Sequence, residues 1–299
     1  MKPLMQKPRF YNREQAVLRN GRLILWLLAV MQVLPAYAWD WTETPNSTTT
    51  HSVQLRAGAD ISKKWHNGLS LHFNEDLRFD LFGVTDGVYY NPTFNKSYTT
   101  LSLSYKHPGF RYLKGEAGYT LKILGTKDWS DATKWLRHRV FFGLTGSYRY
   151  EQWSFSLRER FLTEIRMGDI DYHSASGCYE HNRADWYLRS KAEVAYHAMS
   201  KPLKPYLWCE LVNTLNANAL QQKYADNNPS NAGHQYIRRV RTSVGVVWKL
   251  NSRNSLDFYY RFNYGYDREV TVKAKSQKVY LTEEYSFQHV IGVVYHFTI

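Results

Sequence analysis

The 299-residue chain carries 39 lysines and arginines against 26 acids, a formal charge of +13, with 24 tyrosines and ten tryptophans. After residue 38 no apolar run reaches the roughly 18 residues that a membrane helix needs, which excludes a helical membrane bundle. Membrane β-barrels escape that test because only alternate residues face lipid, and abundant Tyr and Trp suit their interfacial belts.

Residues 1–38 read as a cleavable signal peptide. Lys2, Lys7, Arg9, Arg13, Arg19 and Arg22 form a basic start interrupted by Glu14; Leu23 to Val33 is a short apolar core; Pro35 and Ala36-Tyr37-Ala38 precede a cleavage point at Trp39. Removing the leader's six bases and one acid leaves residues 39–299, the expected barrel domain, near +8. Two cysteines are compatible with an oxidising compartment. Cys178 falls in a long loop and Cys209 just past a short turn, at opposite ends of a barrel, so two unpaired thiols are expected.

From Ser52 the chain alternates strand after strand. Val53, Leu55, Ala57, Ala59 and Ile61 share one face, with Gln54, Arg56, Gly58 and Asp60 on the other, the period of two that defines a strand. His66-Asn67-Gly68 is a tight turn signal, and the return strand carries Leu69, Leu71, Phe73, Leu77, Phe79 and Leu81 on one face. Four further hairpins follow: 99–105 with 112–123, 139–148 with 153–161, 186–196 with 206–215, and 240–248 with 256–266. Longer loops are expected at about 82–96, 124–136, 164–184, 216–234 and 267–284. The closing strand, Ser286–Ile299, alternates Phe287, Ile291, Val293, Tyr295, Phe297 and Ile299 with smaller or more polar residues, His289 being the exception on the bulky face.

Short turns on one side and long loops on the other match bacterial outer-membrane barrels, with the C-terminus on the periplasmic side. The expectation is an all-β, antiparallel up-and-down transmembrane β-barrel of about 10–12 strands. Eleven strands are counted; an even number is usual, and Trp39–Thr50 is a candidate twelfth, shortened by Pro45.

The polar face decides what is inside. It carries Gly58, Gly118, Gly143, Gly245, Gly265 and Gly292, which a water-facing strand has no use for but a crowded lumen needs. It also carries Arg56, Arg78, Arg139, Arg158, Arg160, Arg189, Arg239, Arg241 and Arg261 with Asp76, Glu116 and Glu193, an enclosed arginine–carboxylate set. A soluble lipocalin-like barrel would place this face outside instead. By the same parity Glu75, Glu159 and Glu210 fall on the apolar face, where alternation alone does not account for them.

These residues also resemble a known family. Leu69–Phe79 (LSLHFNEDLRF), Leu113–Tyr119 with Gly118-Tyr119, Leu136-Arg137-His138-Arg139 and Tyr148–Phe161 (YRYEQWSFSLRERF) are similar to the outer-membrane barrels grouped as domain of unknown function 2490. The resemblance implies a barrel in an outer membrane of Bacteroidetes type and assigns no reaction, ligand or residue role.

No catalytic residue is assigned. His173 with Ser174, His197 with Glu193, and His181 with Asp185 have no spacing that demands proximity, and solvated loop histidines account for them. No metal or cofactor is expected, and neither glycine-rich phosphate loops nor nucleic-acid modules are present. The arginine set has two readings: a packed, structural lumen, which is favoured, and an anion- or sugar-selective path. A lipid- or glycan-modifying barrel enzyme is a further alternative. Expected partners are outer-membrane lipid, lipopolysaccharide through Lys273, Lys275 and Lys278 among others, and the barrel-assembly machinery through the last strand, the barrel itself being monomeric.

Overall fold

A computed structural model describes residues 47–90, 92–110, 112–125, 130–167, 172–173, 178–179, 182–197, 202–216, 236–272 and 279–299. The expected leader and cleavage point, and Lys273, Lys275 and Lys278, lie outside them.

The elements run β1 (Ser47–Lys64), β2 (Leu69–Thr85), β3 (Val88–Tyr90), β4 (Thr93–Lys106), β5 (Leu113–Leu124), the one-turn helix α1 (Ala132–Trp135), β6 (Leu136–Tyr150), β7 (Trp153–Arg166), β8 (Tyr172–His173), β9 (Cys178–Tyr179), β10 (Ala184–Tyr196), β11 (Leu203–Thr214), β12 (Tyr236–Lys249), β13 (Asn254–Val272) and β14 (Val279–Thr298). Eleven of the strands close into a barrel, with β3 added to the end of β2 and β8–β9 forming a separate small hairpin. Neighbours pair antiparallel except at the seam, where β1 and β14 run parallel from Ser47↔Glu283 to Ser62↔Thr298. That parallel closure is what an odd strand number dictates. The candidate twelfth strand is not formed over Ser47–Thr50, which already belong to β1. A parallel ladder is slightly weaker per residue than an antiparallel one, and its length offsets this. The final residue takes part, its amide donating to Ser62 O at 2.8 Å.

The first turn forms as its residues dictate. Gly68 sits at φ +88°, and Asn67 Oδ1 accepts the Leu69 amide at 3.1 Å. Two expected loops are largely strand. In 82–96, β2 continues to Thr85 and turns through Asp86-Gly87, both at positive φ, into β3. In 267–284, β13 extends to Val272 against Val279 of β14. Both stretches are rich in β-branched and aromatic residues, which favour continuing the ladder past the barrel rim.

The apolar face is outside. Leu101 is 51%, Phe142 59%, Leu207 57% and Ile291 54% exposed, whereas Asp76 is 3% and Gln54 2%. The lumen glycines make room for large neighbours, as their placement implied. A Cβ on Gly143 would stand 2.8 Å from Glu159 O and 3.0 Å from Glu116 Oε1, blocking the space through which Glu116 reaches Arg160. A Cβ on Gly292 would collide with the Tyr259 ring. Gly292→Ala is expected to destabilise the folded barrel by about 1–3 kcal/mol, the scale of overpacking. Adding Tyr259→Ala should reduce that increment, read as melting of the compact band on unboiled gels; equal losses in both backgrounds would refute the contact.

Candidate functional site

The lumen holds a cavity of about 670 Å³. On β12 alone its lining extends from Arg238 to Val247. At ~3.3 Å per residue and ~40° tilt that is roughly 23 Å along the barrel axis, a mean cross-section of roughly 30 Å². Sixteen lysines and arginines line it against seven carboxylates, so its walls are strongly positive.

The carboxylates are placed as hubs. Glu210, 2% exposed, receives Arg189 Nη2 at 2.7 Å, Arg241 Nη1 at 2.7 Å and Arg158 Nη2 at 3.4 Å, from β10, β12 and β7. Asp76 receives Arg56 across the β1–β2 ladder and Arg78 Nη2 at 2.8 Å. Glu164 receives Lys122 Nζ at 2.8 Å and Arg139 Nε at 2.6 Å. Glu116 receives Arg160 through Nε at 2.9 Å and Nη2 at 2.7 Å. Glu193 takes Lys191 at 2.7 Å, and Asp185 takes Arg166 at 3.1 Å. Charge-assisted bonds of this length are the strong class, and each offsets part of the desolvation of the groups it joins. Aromatic faces take further cations: Arg78 and Arg139 lie 4.5 and 5.0 Å from the Tyr98 centroid, and Arg261 4.9 Å from both Trp208 and Tyr259.

All nine arginines expected in the lumen line the cavity, together with Asp76 and Glu193, and Glu116 joins them through Arg160. Glu210 corrects the sequence reading. It faces inward with Tyr206, Trp208 and Val212, while Leu207 and Cys209 face outward. Both faces of β11 are apolar, so alternation does not reveal its parity. Arg158 accordingly pairs with Glu210, not with Asp76, Glu116 or Glu193. Glu75 and Glu159 do face outward, as parity requires. Each accepts a neighbouring strand's hydroxyl at 2.6 Å, from Thr99 and Ser190. The outward His289 is likewise held, Nδ1 lying 2.7 Å from Tyr260 Oη.

The description "Protein of unknown function (DUF2490)" belongs to the family whose profile matches residues 40–273. The chain is a member of that family. No curated protein matches this DUF2490 chain. Among solved structures, "NanC porin structure in rhombohedral crystal form" aligns at 10% identity over 82% of this chain and 99% of that one, with a TM-score of 0.37.

Several residues of this DUF2490 lumen escape a search for arginines: Lys96, Tyr98, Lys122, Glu164, Asp185 and Lys191 line the cavity too. Their signal was the same period of two, continued along β4, β5, β7 and β10. Arg238 was hidden for another reason. A register shift beside Val212/Asn213 interrupts the β11–β12 ladder, and both consecutive arginines line the cavity.

Of the candidate catalytic groupings, Ser174 and His181 lie outside the described residues, and Asp185 is engaged by Arg166. His197 and Glu193 are not brought together. His197 Nε2 instead lies 3.0 Å from Ser154 Oγ at the short-turn end. Partial burial first, then Lys204, Arg149 and Lys249, hold its ring below the usual histidine range. A serine–histidine pair needs a third group to orient the base, and His197 has no carboxylate partner among the described residues.

Proposed function

We propose that this protein is an outer-membrane β-barrel whose basic lumen admits small anions and passes them across the membrane. The observation that carries the reading is the cavity itself: long, narrow, and lined by sixteen cations against seven carboxylates. The hub carboxylates hold the walls in place, so the structural role expected of the arginines and an open core coexist. A surplus of buried positive charge is costly unless water or an anion reaches it, and a ring of basic side chains favours anions over cations in a pore. The membrane setting is supported by the outer surface. Leu71, Phe73, Leu77, Phe79, Leu101, Leu103 and their counterparts round the barrel are exposed together, an apolar area that a soluble monomer rarely tolerates. The seam strand β14 offers the assembly machinery its C-terminal signal, and the leader carries the chain there.

The test combines location with selectivity. The protein should fractionate with outer membranes, begin at Trp39 on N-terminal sequencing, and run differently boiled and unboiled. In a planar bilayer under a salt gradient its reversal potential should take the sign of anion permeation. Recovery from the periplasm without detergent would overturn the membrane setting, and a cation-signed potential or absence of conductance would overturn the passage.

A further inference from the structure

The lumen's cations are not all matched. Asp76, Glu116, Glu164 and Glu210 between them hold Arg56, Arg78, Arg160, Lys122, Arg139, Arg158, Arg189 and Arg241. Lys96 and Arg239 form no ion pair with a carboxylate among the described residues. They stand on opposite walls, on β4 and β12, yet each lies in the other's field. Arg239 also senses Asp267, but that carboxylate is taken by Arg238. The Arg239 Nε–H is buried with no acceptor. Tyr98 lies two residues along β4 from Lys96; its ring is held by Arg78 and Arg139, and its field reaches both Lys96 and Arg239. All three residues line the cavity near its long-loop end.

An ammonium, a guanidinium with a spare N–H and a phenolic hydroxyl are three different donors lining one cavity, and a buried donor left unmade is expensive. A halide offers one centre. An oxyanion offers two or more acceptor oxygens, which a guanidinium engages side by side while an ammonium takes another. We propose that Lys96, Tyr98 and Arg239 form a binding subsite for a small oxyanion, a phosphate or carboxylate group, within the lumen. The subsite rests on the reading of the lumen as open to small anions, and makes one level of it a resting place along the passage.

Inorganic phosphate serves as the probe. With the full mature barrel folded in detergent, chloride is replaced by phosphate at constant ionic strength and the melting temperature followed, since a ligand that binds only the folded state stabilises that state by RT ln(1 + [L]/Kd), from which the half-saturating concentration is fitted. Lys96→Gln and Arg239→Gln should each raise the half-saturating phosphate concentration by about tenfold or more, the loss of one charge-assisted contact. Lys96→Arg should retain most of the binding. Arg261→Gln is the control: its guanidinium lines the same cavity without a carboxylate and its Nε–H is likewise unmatched, but it lies on Trp208 and Tyr259, four residues along the β12–β13 ladder from the level of Arg239. It should leave half-saturation within about twofold, as an additive, distant site does. No rise in melting temperature with phosphate, or equal weakening in Arg261→Gln, would overturn the subsite in favour of a diffuse positive field. Reversal potentials on the same preparation separate the two claims. Anion selectivity without phosphate protection removes the subsite alone; protection without anion selectivity removes the passage and leaves a closed binding site.

Discussion

Glu210→Gln should lower the melting temperature of the folded barrel more than any other single carboxylate substitution in the lumen. Glu210 is almost fully buried and neutralises Arg158, Arg189 and Arg241. The amide keeps the shape but not the charge, leaving three guanidinia to repel one another in a poorly solvated wall. Removing one partner of a buried ion pair costs about 3–5 kcal/mol. Glu193→Gln is the comparison: its side chain is 28% exposed and, among the described residues, pairs with Lys191 alone, so its loss should cost about 1 kcal/mol or less. Arg158→Ala should also be mild, because Glu210 keeps two closer arginines. Melting of the compact band on unboiled gels ranks the three, and a Glu210→Gln shift no larger than that of Glu193→Gln would show that Glu210 is not the hub.

Deleting Tyr295–Ile299 should abolish the compact, heat-modifiable form altogether. Those residues pair with Ala59, Asp60, Ile61 and Ser62 on one side and with Asn254, Ser255 and Leu256 on the other. Without them two strands end in unpaired amides and carbonyls, which in the proposed membrane setting cost several kcal/mol each in hydrocarbon. The seam is parallel and non-local, joining residues more than two hundred positions apart, and no neighbouring hairpin compensates. Unboiled samples of the truncated chain should run only at the unfolded position; a persistent compact band would mean that the seam closes without its last turn of ladder.

The barrel, its hairpins and its inside face were legible because alternation is a local signal and one face is apolar while the other is not. Most strands obey it plainly, and β12 does so beyond the register shift at Arg238. β11 does not, since Leu207 and Cys209 are scarcely more apolar than Tyr206 and Trp208, and Glu210 was misplaced with it. The partners within the lumen were not legible at all. Arg160 reaches Glu116 over an intervening strand, and Glu210 gathers arginines from three strands; such pairings depend on register and on the gap left by Gly143, neither of which periodicity encodes. The positive walls were anticipated from the arginines, but Lys96 and Tyr98, decisive for the proposed subsite, fell in a stretch read as the edge of a loop. Strand extension past the rim was masked by turn-forming residues such as Asp86-Gly87, which close a longer hairpin and do not end the sheet.

The parallel seam has a consequence for the two ends of the polypeptide. In a barrel with an even number of strands both termini return to the same compartment. Here β1 and β14 descend together, so Ser47 enters at the long-loop mouth while Ile299 leaves at the short-turn mouth. In the proposed outer-membrane setting, with the short turns in the periplasm, the start of β1 faces the cell exterior. Assembly in that setting would carry the start of β1 to the far side of the membrane, a step that an even-numbered barrel of the same orientation does not require. A sequence grafted ahead of Ser47 would accordingly be displayed outside the cell with every loop left uncut, while one appended to Ile299 would stay hidden within the envelope.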